Sequence, residues 1–295
     1  KNCVEFYKII SPKATFFIKN EIWPNFIKHA KMSGSKVYSV GGNFSSNYLK
    51  KLFKINSAIK EFDSIFVLNE RSKKIVEDIG NHNVIVVGDL RYDTVIPKLK
   101  NETNKIIERF IDDNNCIVFG STWKEDENII IKYINNYKGN TKYIIAPHEI
   151  VKNSERIKKY LGSKSILFSK INSNTDLKEF SCLIIDNIGM LSSLYSYGTI
   201  AYVGGGMGTK GLHNILEPAY FSKPIIIGKN YKGFDEAEKM IKNGNVISIS
   251  NYSDFTNALE LIINNKSIIK EMSNKCTEFF EKNKGGVKLI LNKLQ

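Results

Sequence analysis

Short apolar runs alternate with longer amphipathic segments along this chain, and this alternation constrains the fold more than any other feature of the sequence. Several runs are apolar almost throughout, as expected for strands of a parallel sheet that is covered on both faces. The predicted strands occupy residues 14–18, 36–40, 64–68, 84–87, 116–119, 143–146, 182–185, 199–203 and 224–227.

Helical patterns separate these strands. The predicted helices include residues 23–32, 46–61, 70–79, 124–136, 191–197, 234–243 and 254–264. Because strands and helices alternate, the chain is predicted to be an α/β protein built from open, doubly wound parallel sheets.

The pattern is interrupted between Tyr92 and Asn104, where Pro97 and several lysines occur. A chain of 295 residues is also long enough for two domains. We therefore predict a domain over residues 1–97, with about four strands, and a second over residues 98–295, with about five.

The charge balance favours an anionic partner. The chain carries 43 Lys and Arg against 30 Asp and Glu, a net charge of +13, which fits a nucleotide, phospholipid or nucleic acid partner, or simply reflects genome composition. The 4 cysteines lie far apart without a CxxC pair or a Cys/His cluster. This spacing argues against zinc fingers, redox motifs and disulfide scaffolds.

The ends of the chain and its longest uncharged stretch bear on membrane attachment. Residues 187–209 contain several glycines, so a strand followed by a glycine-rich loop explains them better than a membrane span. The chain has no signal peptide and opens with Lys1 rather than Met. We therefore expect residues to be missing upstream.

Two loops that follow predicted strands in the second half carry candidate ligand-binding residues. Gly120-Ser121-Thr122-Trp123 leads into a helix whose N–H groups could bind an anion, although an N-cap followed by acidic residues explains it equally well. Pro147 and His148 end the next strand, where His148 is either a ligand-binding or an ordinary surface residue.

Two further loops complete the set. Asp186-Asn187-Ile188-Gly189-Met190-Leu191 fits a helix cap, or a ligand lying against Gly189. The loop from Gly204 to Pro218 is neither a Walker A loop nor a clean GxGxxG, but its glycines and Lys210 could hold a phosphate. Glu217 could accept hydroxyls of a ribose or serve only as a helix-dipole partner.

The combined motifs resemble the 3-deoxy-D-manno-octulosonic acid (Kdo) transferases, which are two-domain GT-B glycosyltransferases. The donor-side segments are Gly120-Ser121-Thr122, Pro147-His148, Asp186-Asn187-Ile188-Gly189-Met190-Leu191, Gly204-Gly205 and His213-Asn214-Ile215-Leu216-Glu217-Pro218. The segments in the first half are Glu21-Ile22-Trp23-Pro24-Asn25 and Gly88-Asp89-Leu90-Arg91-Tyr92-Asp93. Their order and spacing match the family across nearly the whole chain.

This resemblance implies an inverting glycosyltransferase that moves Kdo from CMP-Kdo to a lipid A precursor in lipopolysaccharide core synthesis. Residues 1–97 would then form a shortened acceptor-binding domain and residues 98–295 the donor-binding domain, with two open parallel sheets facing a cleft. The implied donor-binding residues are Gly120, Ser121, Thr122, Pro147, His148, Asn187, Ile188, Gly189, Met190, Gly205, Lys210, His213, Asn214 and Glu217. We expect no metal and no cofactor beyond the donor substrate.

Two departures from the family pattern affect the predicted chemistry. The family's upstream anchor and its Ser-Val-Gly-Glu motif, which carries the general base, do not occur here, so Glu21 is expected to be a supporting acidic residue. The family's Pro-Arg-His is replaced by Pro147-His148-Glu149. Phosphate contact is therefore expected to pass to Ser121, His148, Lys210 and helix N-termini.

The implied location is the cytoplasmic face of the bacterial inner membrane, with peripheral binding or an anchor in the missing segment. Basic residues of the first domain are expected to contact anionic headgroups. They are Lys13, Lys19, Lys28, His29, Lys31, Lys36, Lys50, Lys51, Lys54 and Lys60.

Two other functions remain open. A UDP-sugar-dependent glycosyltransferase or epimerase would use the same architecture. A basic nucleic-acid-binding protein is disfavoured, because no binding module is recognisable and the lysines are scattered among acidic residues.

Overall fold

The computed structural model describes residues 2–45, 53–98 and 103–295. The chain forms two compact units, which we call unit 1 and unit 2. Unit 1 comprises Lys1–Thr94 and Asn283–Gln295, and unit 2 comprises Val95–Lys282.

Unit 1 contains a four-stranded sheet in the order β1-β2-β3-β4, and all its strand pairs are parallel. The strands are β1 (Ala14–Ile18), β2 (Lys36–Gly42), β3 (Ser64–Val67) and β4 (Val84–Val86). The helices are α1 (Asn2–Ile10), α2 (Pro24–Met32), α3 (Phe53–Lys60), α4 (Glu70–Ile79) and α5 (Arg91–Lys98), the last of which runs beyond the unit.

The core of unit 1 lies between the sheet and its helices, where Ile27, Val37, Ile65 and Val76 are fully buried. Each such side chain contributes about 1.5–3 kcal/mol when it leaves water. Each helix therefore packs its apolar side on the sheet, and this packing removes the apolar side chains of both from water.

The last helix of the chain, α14 (Gly286–Leu294), belongs to unit 1. Its Ile290 packs in a cluster with Phe66 and Val87. The carboxylate of Asp93 accepts hydrogen bonds from the backbone N–H groups of Gly285 and Val287, at 2.7 and 2.9 Å. Asp93 therefore satisfies two donors at the start of this helix.

Unit 2 contains a seven-stranded sheet in the order β11-β10-β9-β5-β6-β8-β7, and each pair of neighbouring strands in it is parallel. The strands are β5 (Cys116–Thr122), β6 (Lys142–Pro147), β7 (Ser165–Leu167), β8 (Cys182–Ile184), β9 (Ile200–Val203), β10 (Ile225–Gly228) and β11 (Val246–Ile249).

The helices of unit 2 are α6 (Lys105–Ile111), α7 (Lys124–Asn136), α8 (Ile150–Leu161), α9 (Leu191–Leu194), α10 (Leu216–Tyr220), α11 (Asp235–Asn243), α12 (Tyr252–Ile263) and α13 (Lys266–Asn283). Phe119, Tyr143, Tyr202 and Phe255 are buried together in the main core of this unit. The central strands β6, β9 and β10 are buried along their whole length, as their uninterrupted apolar sequences predict.

The predicted α/β class with two open parallel sheets is confirmed, but details of the prediction differ from the structure. Unit 2 has seven strands rather than five, because the short edge strands β7 and β11 were not predicted. The predicted boundary after residue 97 falls three residues from the break at Val95, whereas residues 283–295 belong to unit 1 and not to the second domain. The packing of α14 on unit 1 explains this correction.

Part of the sequence prediction cannot be compared with the structure. Residues 46–52 of the predicted helix over 46–61 lie outside the described residues, as do residues 99–102 of the predicted linker. Pro97 lies within α5, so the helix continues further than the sequence indicates.

Among the described residues, no helix is long and apolar enough to cross a membrane. In the same part of the chain, no group of three or more His, Cys, Asp or Glu side chains is arranged to hold a metal ion.

Candidate functional site

The candidate site lies at the carboxyl ends of the central strands of unit 2. Strand β5 pairs with β9 on one side and with β6 on the other. The chain first adds β6, β7 and β8 on one side of β5 and then crosses to add β9, β10 and β11 on the other side, so the direction of strand addition reverses at β5. In open α/β sheets, ligands bind at such a reversal, outside the carboxyl ends of the strands. The four loops singled out in the sequence follow β5, β6, β8 and β9, which are neighbours in the sheet.

The first loop bends sharply at Ser121. The register of β5 against β6 shifts between Gly120 and Thr122, and Ser121 has a φ of +52°, in the left-handed region. Thr122 is fully buried, and its hydroxyl donates a hydrogen bond to the Glu127 carboxylate at 3.1 Å. The Thr122 hydroxyl is thus used within the protein, while the bulge turns Ser121 out of the ladder.

Asp126, in the first turn of α7, connects the first loop with the glycine loop after β9. Its carboxylate is fully buried and accepts hydrogen bonds from the backbone N–H groups of Trp123 and Gly205, each at 2.9 Å. The hydroxyl of Tyr202 donates a third bond, at 2.7 Å. Burial raises the pKa of Asp126, while the bonds from Gly205 and Trp123 act in the opposite direction.

The glycine loop packs so closely on the first loop and on itself that side chains are excluded at two positions. A Cβ at Gly204 would lie 2.3 Å from the backbone oxygen of Ser121. Gly205 has a φ of +92°, and a Cβ there would lie 2.0 Å from the backbone oxygen of Gly211. The glycines at these two positions therefore allow close approach of the backbone.

Three aromatic rings from three loops stack at this edge of the sheet. The ring of Trp123 lies 4.5 Å from that of His148, and the ring of His148 lies 4.5 Å from that of His213, measured between centroids. The indole N–H of Trp123 donates a hydrogen bond to His213 Nε2 at 2.8 Å. Lys210 Nζ lies 5.2 Å from the centroid of the Trp123 ring, within the range of a cation–π contact.

This cluster places positive charge and hydrogen-bond donors at one point. Lys210 and His148 are exposed, and His213 is half-buried. Burial lowers the pKa of His213, and the neighbouring His148 lowers it further. At neutral pH, His213 is therefore an uncharged ring beside an exposed histidine and a lysine.

Glu217 lies in α10 with its carboxylate held from two sides. The hydroxyl of Ser192 donates to Oε2 at 2.9 Å, and the amide of Asn214 donates to Oε1 at 3.3 Å. Burial, followed by the charge of Glu217, raises the pKa of the Tyr195 hydroxyl well above its usual value. Glu217 is half-buried, and these two bonds orient its carboxylate.

The loop after β8 is more open. The Asn187 amide contacts the Met190 sulfur at 2.9 Å, the Ile188 side chain is 90% exposed, and Gly189 has a φ of +95°. This loop meets the other residues through α9, which begins at Leu191 and carries Ser192, the partner of Glu217.

Sequence reasoning did not assign a site role to Trp123, Asp126 or Ser192. Asp126 is one of the acidic residues after the first loop, which the sequence associates only with the helix dipole, and Trp123 ends that loop. An Asp at the third helical position is a signal for capping, which it performs here on the Trp123 N–H. Nothing in the local sequence indicates the bond to Gly205, which is 79 residues away.

Unit 1 has its own cavity at the carboxyl ends of its strands, with a volume of 610 Å³. It brings together the two motifs of the first half, since Glu21 and Leu90 both line it. The indole N–H of Trp23 donates to the Glu21 carboxylate at 2.6 Å, which fixes an exposed carboxylate at the rim. Arg91 forms an ion pair with Asp89 at 2.6 Å on the same rim.

Known proteins are similar to this chain in sequence. Residues 1–94 match the family model described as 3-deoxy-D-manno-octulosonic-acid transferase (kdotransferase). A 3-deoxy-D-manno-octulosonic acid transferase of Rickettsia typhi is 30% identical over 88% of this chain and 57% of its own length. A bifunctional glycosyltransferase/methyltransferase of Fusobacterium nucleatum is 26% identical over 96% of this chain and 45% of its own length. The chain thus spans about half the length of these curated relatives.

Solved structures share the fold. The C-terminal CMP-Kdo binding domain of WaaA from Acinetobacter baumannii aligns with a TM-score of 0.52 and 17% identity, covering 64% of this chain and 98% of that domain. A putative UDP-N-acetylglucosamine 2-epimerase from Listeria monocytogenes aligns with a TM-score of 0.63 and 12% identity, covering 92% of this chain and 71% of that protein. Both are similar to this chain in architecture.

Proposed function

We propose that this chain, which is homologous to curated 3-deoxy-D-manno-octulosonic acid transferases along most of its length, is a glycosyltransferase that moves Kdo from CMP-Kdo to a lipid A precursor. The observation that carries the proposal is the convergence of Trp123, His148, His213 and Lys210 at the strand reversal of unit 2. A cluster of donors and a cation at that place suits the phosphate of a nucleotide-linked sugar.

Different residues of unit 2 would contact different parts of the donor. Lys210, His148 and the backbone of the Ser121 bulge would face the phosphate, and Glu217 would accept the ribose hydroxyls. The name of the Acinetobacter domain, which specifies CMP-Kdo binding, supports this choice of donor. A nucleoside monophosphate leaving group has no pyrophosphate for a metal to bridge, so the proposed transfer uses these side chains and no cofactor.

The acceptor would bind in unit 1. The cavity at Glu21 is lined by both motifs that resemble the family, and its rim carries the Asp89–Arg91 pair. Its size, 610 Å³, suits part of a glycolipid headgroup. Glu21, held by Trp23, would support the acceptor hydroxyl.

A UDP-sugar-dependent enzyme is the second candidate. The observation that favours it is the shared fold with the Listeria epimerase over 92% of this chain. The two candidates differ in the nucleotide, because the epimerase name specifies UDP and the Acinetobacter name specifies CMP.

We expect CMP to bind in calorimetry and UDP to bind at least about tenfold more weakly, which corresponds to about 1.4 kcal/mol.

Lys210→Ala should weaken CMP binding, because it removes the cation near Trp123. Lys178→Ala is the matched control, since Lys178 is exposed and pairs with Asp112 elsewhere in unit 2. Tighter binding of UDP than of CMP would favour the second candidate, and equal loss in both variants would place the nucleotide elsewhere.

We further propose that unit 1 binds the anionic cytoplasmic face of the inner membrane. Lys13, Lys28 and Lys60 are exposed, whereas Lys31 and Lys36 both pair with Asp63. Lys50 and Lys51 lie outside the described residues, as does the side chain of Lys54. Each exposed lysine would contribute about 1 kcal/mol near a negative surface.

Cosedimentation tests this attachment. The chain is expected to bind vesicles that contain phosphatidylglycerol at low salt and to leave them at high salt, since the attraction is screened. Replacing Lys13, Lys28 and Lys60 with Glu should abolish the binding. The same changes at Lys152, Lys159 and Lys239, exposed in unit 2, are the charge-matched control. Equal effects of the two sets would contradict a specific role for unit 1.

A further inference from the structure

The bond between Trp123 and His213 determines where the proton of His213 lies. An indole N–H can only donate a hydrogen bond, so the atom that receives it must be an acceptor. That atom is His213 Nε2, at 2.8 Å. An imidazole nitrogen accepts only when it carries no proton, and therefore a His213 ring in this bond is neutral and carries its proton on Nδ1.

The remaining contacts of the ring leave Nδ1 as the nitrogen that can donate to a ligand. The edge at Cδ2 faces the glycine loop, where a Cβ on Gly205 would lie 3.1 Å away. Nδ1 lies on the opposite side of the ring from Cδ2. Within the part of the chain that the structure describes, no side chain or backbone group makes a hydrogen bond with Nδ1.

We propose that Trp123 is a positioning residue that holds His213 in the neutral Nδ1–H form, so that this ring donates a hydrogen bond to the bound nucleotide donor. The inference rests on the proposed donor site in unit 2. The indole ring of Trp123 thus makes two contacts: its face stacks on His148, and its N–H determines which nitrogen of His213 carries the proton.

The charges around the rings support this assignment. The neighbouring His148 would oppose a positive charge on His213. Burial, followed by His148, lowers the pKa of His213, so the neutral ring persists at neutral pH and is lost only as the pH falls through that lowered value.

Nitrogen NMR of the histidine side chains tests the proposal directly. In the whole chain without ligand at pH 7.5, the His213 ring is expected to show the pattern of a proton on Nδ1, and His213→Asn assigns the signal. Trp123→Phe keeps an aromatic face for His148 but removes the indole donor. In this variant we expect a mixture of the two neutral forms and a raised pKa of His213.

A matched control comes from the second tryptophan. Trp23→Phe removes the indole N–H that binds Glu21 in unit 1, and it should leave the His213 signals unchanged. A proton on Nε2 in the wild-type chain would overturn the proposal. Unchanged His213 signals in a folded Trp123→Phe variant would overturn it as well.

Ligand binding tests the second half of the proposal. Trp123→Phe should weaken CMP binding at pH 7.5 by the factor by which the spectra show the Nδ1–H fraction to fall, about twofold for an even mixture, because only that form donates. Unchanged CMP affinity in the folded variant would contradict the role of His213 as a donor. Because the spectra are recorded without ligand, a wild-type chain that shows the Nδ1–H form but does not bind CMP would contradict the proposed donor site and not the action of Trp123 on His213.

Discussion

Asp126→Ala is expected to lower the free energy of unfolding by about 3 kcal/mol, because it leaves two buried donors and one partly buried donor without an acceptor. These donors are the backbone N–H groups of Trp123 and Gly205 and the hydroxyl of Tyr202. Each buried donor without a partner costs about 1–3 kcal/mol. Urea denaturation followed by circular dichroism measures the change.

Two further variants make the Asp126 experiment specific. Asp126→Asn can keep one oxygen for the N–H groups of Trp123 and Gly205, which bind the same carboxylate oxygen, and its amide can donate to the Tyr202 hydroxyl, so it should be much less destabilising than alanine. Asp176 is an exposed N-cap that accepts one bond, from the Lys178 N–H at 3.0 Å. Its replacement by alanine should cost about 1 kcal/mol. Similar losses at positions 126 and 176 would show that Asp126 does not connect the two loops.

Glu217→Ala is expected to weaken CMP binding by about 1.5–3 kcal/mol, the contribution of hydrogen bonds to a charged group. The carboxylate is half-buried and already oriented by Ser192 and Asn214, so little entropy is lost when it receives the ribose hydroxyls. Calorimetry at constant pH measures the loss, which amounts to a change of about 10- to 150-fold in the dissociation constant.

The controls for Glu217 separate binding from folding. Ser192→Ala leaves the carboxylate in place but removes one of its two partners, and it should have a smaller effect in the same direction. Glu155→Ala changes an exposed glutamate of α8 and should leave CMP affinity unaltered. If a folded Glu217→Ala variant bound CMP as tightly as the wild type, the result would exclude Glu217 from the nucleotide site and favour its alternative role as a helix-dipole partner.

The order of strands and helices could be read from the sequence because it depends on local patterns. The predicted helices over 70–79 and 124–136 coincide with α4 and α7. Their ends are marked by nearby residues: Asn69 caps the first turn of α4, and Gly80 ends that helix with a φ of +105°. Propensity, periodicity and caps act over a few residues, so one sequence is enough to predict them.

The edge strands and the last helix could not be placed in the same way. Strand β7 has only three residues, and β11 is partly exposed, so neither shows the uninterrupted apolar run of a central strand. The sequence of helix α14 is that of an ordinary amphipathic helix. Its place in unit 1 depends on packing with Phe66 and on the hydrogen bond from the Gly285 N–H to the Asp93 carboxylate. These partners are about 200 residues away along the chain.

The sequence by itself determined the α/β class, the four loops at strand ends and the residue types available there, because each follows from a local pattern. Only the tertiary structure decided which of those residues meet. The Trp123 and His213 side chains are 90 residues apart in sequence, and Asp126 and Gly205 are 79 apart. Such pairs form because β9 and β5 are neighbours in the sheet, and the strand order is set by the packing of the whole unit.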